Sequence, residues 1–274
     1  MISIKYNNID LTNTPNLILA GYEGLDIPTS ETISISNPNL RGTRYQRSSI
    51  QERQISFTFY VFDVEATRQM LMNSFKSGEK GTLYLSNEYR SGKIECYLEE
   101  MIFDKFTNPT TCQIMLKAPY PYFKGIDDII AELTNVSDSE FHLTAYFDTE
   151  GFILGEDLDE YTATVINLGD IPVGAKIEIT AFSTVVNPVI YNVTTNKKIE
   201  LNYTMSNGEK ITITTNVGNK KIISSIKGNI INKLTRNSTF FDIQRGTNKL
   251  SFNAKSGISD MKAFIIYNNE YGAI

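Results

Sequence analysis

The chain has 274 residues, enough for two domains or one large β domain, and its 41% hydrophobic content is too high for a disordered protein. A formal net charge of −5 argues against a free-standing nucleic-acid-binding protein. The sequence has no run of about 18 apolar residues that could span a membrane, and its polar N-terminus lacks a signal-peptide core. We therefore expect a protein that is made and folded in a cytoplasm.

The composition predicts a mainly β protein. Phe and Tyr each occur 15 times and Trp is absent, while Ile, Thr and Asn are frequent and long helical blocks are missing. The first predicted strands are residues 2–6, 33–35 and 55–61. The last of these alternates strictly between apolar and polar residues, which indicates one buried face.

The segment after Phe62 carries the strongest helix signal in the chain. Asp63 is a good N-cap residue, and Gly78 supplies a C-terminal stop. One stripe of the helix is formed by Val64, Thr67, Leu71 and Phe75. The spacing predicts an amphipathic helix that lies on a sheet.

Strands are predicted again at residues 82–85, 93–103 and 111–118, and the last two carry the two cysteines, Cys96 and Cys112. A hairpin centred near Thr107 would place Cys112 opposite Ile102 and Cys96 opposite Ala118. At a strand rise of about 3.3 Å per residue the thiols would lie about 20 Å apart. We therefore expect buried free thiols.

A domain boundary is predicted after the segment 119–122, where two prolines cannot continue a central strand. Gly125 then precedes a short predicted helix, residues 126–133. The predicted domains are residues 1–125 and residues 126–274, the latter including a linker.

The second domain is predicted to be a β-sandwich or jelly roll, because it consists of short strands and turns at regular spacing. At Asn207-Gly208 the hydrophobic register favours a three-residue loop, residues 206–208. That loop would pair Tyr203 with Ile211 and Leu201 with Ile213, with Gly208 in a left-handed conformation.

The sequence provides no support for catalysis. His142 is the only histidine, so neither a chymotrypsin-like triad nor a multi-histidine zinc site can be assembled without a second candidate partner, and a structural role is expected. Acidic residues between positions 148 and 160 lack the spacing of an EF-hand and are interpreted as a solvated loop. We predict no catalytic residue, no cofactor and no metal.

An arginine-rich segment supplies the candidate interface residues, which are Arg41, Arg44, Tyr45, Arg47 and Arg53. Arg and Tyr are enriched at protein interfaces, so the segment could be an extended arm that grips a neighbouring subunit. A flexible polar loop explains it equally well. Contact with nucleic acid is a weaker alternative, because the chain is acidic overall.

The order of these segments resembles the distal tail protein family of tailed phages and phage-tail-like particles. In the first half the resemblance lies in residues 53–57, the helix with Arg68 and Leu71, residues 83–85 and residues 116–122. In the second half it lies in residues 167–169, 177–179, 187–190 and 246–248. One position departs from the family pattern. Relatives often carry an Asp-Thr pair after the strand at residues 211–213, where this chain has Thr214-Thr215. Because such a pair is typical of a turn, its loss hardly affects the resemblance.

This resemblance implies an N-terminal β-sandwich or split-barrel domain that forms a ring, and a C-terminal galectin-like β-sandwich. It implies a homo-hexamer that joins the tail tube protein to the baseplate or to a tail-associated hub or tip protein. A central channel would pass the tape measure protein and then DNA, without sequence-specific nucleic-acid binding. The expected location is the distal end of a virion or phage-like tail.

Two other functions are alternatives to the ring. A receptor- or carbohydrate-binding baseplate module is the main alternative, since sandwiches of this type also serve as lectins. A cell-wall hydrolase is disfavoured by the single histidine and the missing nucleophile motif.

Overall fold

The computed structural model of the chain describes residues 2–36, 41–104, 106, 108–135 and 161–274. The chain forms two compact units, a first unit of Met1–Asp127 together with Glu270–Ile274 and a second unit of Asp128–Asn269. The predicted boundary after residue 125 lies two residues before this division. That prediction also assigned residues 270–274 to the second domain, whereas they are part of the first unit.

The strands of the first unit are β1 (Ser3–Tyr6), β2 (Ile9–Asp10), β3 (Leu17–Glu23), β4 (Ser30–Ser36), β5 (Thr43–Ile50), β6 (Arg53–Val61), β7 (Lys80–Ser86), β8 (Ser91–Asp104), β9 (Thr110–Ala118), β10 (Phe123–Lys124) and, from the C-terminus, β22 (Glu270–Tyr271). The main sheet has the antiparallel order β2-β1-β7-β8-β9-β6-β3. Strand β10 pairs with both β8 and β22, so the C-terminal residues complete this sheet.

The core of the first unit lies against one face of this sheet. On β6 the predicted face of Ile55, Phe57, Phe59 and Val61 is fully buried. Residues of β1, β7, β8 and β9 pack against the same cluster. The strict alternation in the sequence therefore predicted the buried face correctly.

The predicted helix is confirmed as α1 (Val64–Ser74). The Asp63 side chain accepts a hydrogen bond from the Ala66 backbone N at 3.4 Å, and Leu71 faces the core. The helix ends before Gly78, because the backbone of Phe75 is extended; the Phe75 N–H still donates the last helical hydrogen bond, to the Leu71 carbonyl. No helix in the described part of the chain is long and apolar enough to cross a membrane.

The hairpin of β8 and β9 carries a β-bulge that shifts the predicted register by one residue. Leu98 pairs with Leu116, but Glu100 pairs with Met115, so Glu99 is the extra residue. Beyond the bulge Cys112 lies opposite Phe103, and the predicted pairing with Ile102 is wrong. Both cysteines are buried and free, as predicted.

The strands of the second unit are β11 (Ile129–Asn135), β12 (Tyr161–Asn167), β13 (Ala175–Ala181), β14 (Val185–Asn192), β15 (Lys197–Glu200), β16 (Thr204–Met205), β17 (Lys210–Thr214), β18 (Lys221–Ser224), β19 (Gly228–Asn229), β20 (Gly246–Ser256) and β21 (Met261–Tyr267). They follow the order β15-β14-β20-β12-β11-β21-β13-β17-β18-β19, with β16 beside β14. Short 3-10 helices occupy Ile231–Lys233 and Ile258–Asp260.

Strands from both halves of this order enclose one apolar core. Ile190 and Leu250 of β14 and β20 belong to the same buried cluster as Ile177 and Ile265 of β13 and β21. The two halves therefore face each other as the layers of a sandwich do. The predicted fold class, mainly β with one α-helix, is confirmed, while the galectin-like type stays a prediction.

The predicted helix at residues 126–133 is wrong, because β11 occupies most of this segment. Its burial alternates along the strand, with Ile130 and Glu132 exposed while Ala131 and Leu133 turn inward. Strand β11 pairs with β21 on one side and with β12 on the other. Pairing on both edges outweighs the local preference of a short apolar run.

The predicted hairpin around Asn207-Gly208 is also wrong in its pairing. Gly208 has a positive φ of 77°, as expected, but β16 pairs with β14 whereas β17 pairs with β13 and β18. The Glu209 carboxylate accepts hydrogen bonds from the Ser206 backbone N at 2.9 Å and from the Tyr203 hydroxyl at 2.7 Å. These bonds hold a turn that connects the two halves of the sandwich.

Candidate assembly site

Strands β4 and β5 form a separate two-stranded sheet, which we call the arm. Within the described residues no third strand pairs with it. Every residue of β5 is exposed, as is every residue of β4 except Ile33, which is half-buried. Because a lone two-stranded hairpin is at best marginally stable in water, the arm has a surface suited to a partner.

A β-bulge decides which side chains share a face of the arm. Ile33 pairs with Arg47, whereas Ser34 pairs with Tyr45, so Gln46 is the extra residue. Without the bulge Arg44 and Arg47, three positions apart, would lie on opposite faces.

The two faces of the arm differ in chemistry. Cross-strand partners share a face, so Arg44 lies with Ile35 and Arg47 with Ile33; we call this the Ile–Arg face. The opposite face, called the hydroxyl face, carries Ser30, Thr32, Ser34, Ser36, Thr43, Tyr45, Ser48 and Ile50. Positive charge and branched apolar side chains are therefore concentrated on one side.

The structure separates the five candidate interface residues into two groups. Arg41, Arg44, Tyr45 and Arg47 are exposed on the arm or next to it. Arg53 is only 4% exposed and lies on β6, under the base of the arm. Its prediction as an interface residue is corrected, because its guanidinium is buried and donates its hydrogen bonds to backbone carbonyls of its own unit.

Arg53 binds four backbone carbonyl oxygens, those of Gly24, Asp26, Pro121 and Gly272, each at 2.6 Å. Its Cζ also lies 4.5 Å from the centre of the Phe123 ring. Burial lowers the pKa of Arg53, while the nearby Asp26 opposes this shift. Arginine remains charged in proteins even so, and charge-assisted hydrogen bonds offset part of its desolvation.

These contacts make Arg53 a clamp at the base of the arm. Gly24 and Asp26 lead into β4, and Gly272 belongs to the C-terminal segment. The local sequence could not reveal this role, because the acceptors come from three distant parts of the chain. One feature of the sequence did indicate burial. Arg53 occupies an inward-facing position in the alternating pattern of β6.

A groove of about 560 Å³ lies beside this clamp; we call it the root groove. Its walls come from the end of β3, both feet of the arm and the outward faces of β6, β8 and β9. Four exposed carboxylates line it, those of Glu23, Asp26, Glu52 and Glu99. Glu99 is the extra residue of the β8–β9 bulge, and bulges redirect side chains in this way.

The two cysteines are the thiols of the first unit, and both are buried. Burial raises the pKa of both Cys96 and Cys112 to about 12, so these thiols stay protonated and unreactive. Among the described residues, no cluster of three or more His, Cys, Asp or Glu side chains could hold a metal ion. His142 and the acidic segment 148–160 lie outside the described residues.

Glu209 is a buried carboxylate in the second unit that sequence analysis did not single out. Burial alone would raise its pKa, but hydrogen bonds from Ser224, Ser206 and Tyr203 outweigh this effect and lower the pKa. A charged side chain next to an Asn-Gly turn gave no signal of burial. Its role is to hold the turn, since all its hydrogen-bond donors lie within the second unit.

Comparison with known proteins gives a match to one family model, over part of the chain, and likenesses in fold. Residues 168–271 match the family model described as siphovirus-type tail component, C-terminal domain. The chain is similar to the Dit protein of phage SPP1, described as a paradigm of the hub adsorption apparatus in phages that infect Gram-positive bacteria. That similarity has a TM-score of 0.70 at 12% identity and covers 98% of this chain and 99% of that chain.

A chain of the phage P2 baseplate, in its activated conformation with Ca, is also similar. The TM-score is 0.52 at 13% identity, and the alignment covers 100% of both chains. At such identities the two likenesses show a shared fold. No curated protein has a matching sequence.

Proposed function

We propose that this chain, whose residues 168–271 match the model of the siphovirus-type tail component family, belongs to that family and forms a hexameric ring at the distal end of a phage or phage-like tail. The match over residues 168–271 and the shared fold support a structural role in the tail or baseplate. The hexamer and its central channel are the parts that we add.

The arm is the structural feature that best supports the proposed ring. Each copy has one arm, whose exposed strands pair with nothing else in the described chain. A contact between an arm and a different surface of the next copy is heterologous, and such contacts close into rings when the rotation allows it. A long exposed edge is also a liability in a free monomer, which favours a covered state.

The proposed partners are those that the family resemblance implies. The ring would bind the tail tube protein on one side and a tail-associated hub or tip protein, with other baseplate proteins, on the other. Its channel would hold the tape measure protein and then pass DNA. No catalytic step is proposed, in keeping with the two protonated thiols.

The test is native mass spectrometry and negative-stain microscopy of the purified chain. We expect six-fold rings of about 185 kDa, six copies of 30.9 kDa. A matched variant in which residues 30–50 are replaced by a Gly-Ser linker should remain folded but monomeric. A wild-type chain that stays monomeric at every concentration and never joins assembled tails would contradict the proposal.

The carbohydrate-binding alternative has its best surface in the second unit. An open groove of about 480 Å³ there presents amide and lysine side chains, among them Asn202, Asn229, Asn232 and Lys233. A glycan array decides this point. Specific binding that is lost on Asn232→Ala would support the alternative. If no glycan binds, the ring remains as the one proposed function.

A further inference from the structure

We infer that the Ile–Arg face of one copy docks into the root groove of a second copy. This inference rests on the proposed ring, because it names the two surfaces through which neighbouring copies would join. It assigns both halves of the contact to the first unit.

The Ile–Arg face has unpaired positive charge. Within the described residues, no carboxylate forms an ion pair with Arg44 or Arg47. Glu31 lies on the same face, but it sits near the foot of the arm and accepts a hydrogen bond from Gln51 Nε2 at 2.9 Å. The outer part of the face is therefore cationic.

The root groove has the opposite charge. Of its four carboxylates, Glu52 forms an ion pair with Lys117. No cation among the described residues forms an ion pair with Glu23, Asp26 or Glu99. Arg53, the groove's own cation, is buried and already bound by backbone carbonyls. The groove thus leaves more carboxylates than cations available to a partner.

Apolar surface matches as well. Ile27, in the groove wall, is 82% exposed, and Met115 adds a half-buried thioether at the floor. Ile33 and Ile35 lie beside the arginines on the Ile–Arg face, and Ile35 is 50% exposed. Guanidinium–carboxylate pairs around a small apolar centre are a common interface composition, with Arg enriched.

The groove that receives an arm must belong to another copy. Strand β5 is held extended by β4, and Gln51 at its foot lines the groove. At about 3.3 Å per residue, Arg44 lies about 23 Å from Gln51 along the strand, which is too far for its side chain to reach its own groove. The contact is therefore between different surfaces of two copies, which is the arrangement that builds a ring.

Complementary charge reversal tests this contact. The arm variant is Arg44→Glu with Arg47→Glu, and the groove variant is Glu23→Lys with Glu99→Lys. Each variant alone places like charges together, so we expect its hexamer fraction to fall by at least about tenfold. In an equimolar mixture every arm meets an opposite charge if the two variants alternate around the ring.

The mixture should therefore recover hexamers that contain three copies of each variant, as counted by native mass spectrometry. The matched control is Thr43→Glu with Ser48→Glu, which adds two carboxylates to the hydroxyl face of the same strand, at positions that are not cross-strand partners, and should leave assembly unchanged. Circular dichroism of each variant confirms that it is folded.

The outcomes separate this inference from the ring itself. If the wild-type chain forms hexamers and the two variants also do so alone, or their mixture stays unassembled, the docking is overturned while the ring stands. If the wild-type chain forms no ring, the docking falls together with the proposed function.

Discussion

The arm and the sheet from which it emerges use the same side chain in opposite ways. Arg44 and Arg47 are exposed on β5, with no ion-pair partner among the described residues. Arg53, a few residues later, is 4% exposed and donates to four carbonyl oxygens. The buried arginine organises its own unit, whereas the exposed arginines of the arm have no ion-pair partner among the described residues.

The largest expected effect comes from removing the buried arginine. Arg53→Met leaves four carbonyl oxygens without their donor and should lower the free energy of unfolding of the first unit by about 3 kcal/mol. Urea unfolding, followed at protein concentrations below assembly, measures this. Arg44→Met is the matched control and should cost less than about 0.5 kcal/mol. Equal costs for both changes would remove the contrast between arm and sheet.

A pair of glycines gives the same contrast for the backbone. Gly24 and Gly42 have positive φ angles of 82° and 99°. A Cβ at Gly24 would lie 1.9 Å from the Gln54 carbonyl O, whereas one at Gly42 would meet none of the described residues within 4 Å. We expect Gly24→Ala to cost about 2–3 kcal/mol and Gly42→Ala about 1 kcal/mol, measured by the same unfolding assay.

Buried and exposed carboxylates should also differ in their contribution to stability. The dependence of unfolding free energy on pH measures this difference. Because hydrogen bonds lower the pKa of Glu209 in the folded state, its stabilisation is present above the unfolded pKa of about 4.3 and is lost as pH falls through the folded pKa. Glu209→Gln should cost about 2 kcal/mol at pH 7 and flatten the acid limb of second-unit stability. Glu23→Gln, in the root groove, should change neither the stability at pH 7 nor its dependence on pH. If Glu209→Gln leaves the pH profile of stability unaltered, Glu209 does not hold the turn as a carboxylate.

The last comparison leaves stability almost unchanged. It uses thiol labelling to compare the burial of the two cysteines in the sheet with the exposure of the arm. Since burial raises the pKa of Cys96 and Cys112 to about 12, a thiol reagent should label neither in the native protein at pH 8 and both in denaturant. Ser48→Cys, on the arm, should be labelled within the mixing time. Rapid labelling of the wild-type chain would mean that the sheet opens readily.

The sequence was most informative where neighbours along the chain decide the structure. The Asp63 cap and the stripe through Leu71 predicted α1, and alternation through Phe57 and Phe59 predicted the buried face of β6. Both follow from the fixed periods of helix and strand, which depend on local geometry alone.

It was least informative where distant segments compete for the same backbone. Residues 126–133 resemble a short helix, yet two partner strands make them β11. Tyr203 and Ile211 match in hydrophobic register, yet they lie in separate halves of the sandwich, since the buried Glu209 holds a turn between them. Hydrophobic pattern gives the face of a strand but not its neighbour.

For the candidate site, the sequence by itself determined an arginine- and tyrosine-rich segment suited to an interface. Only the tertiary structure decided that Arg53 leaves this group, that a bulge at Gln46 brings Arg44 and Arg47 to one face, and that Glu99 lines an acidic groove. Composition is a property of the chain. Burial, register and charge proximity arise when residues far apart in sequence are brought together, so they had to be read from the fold.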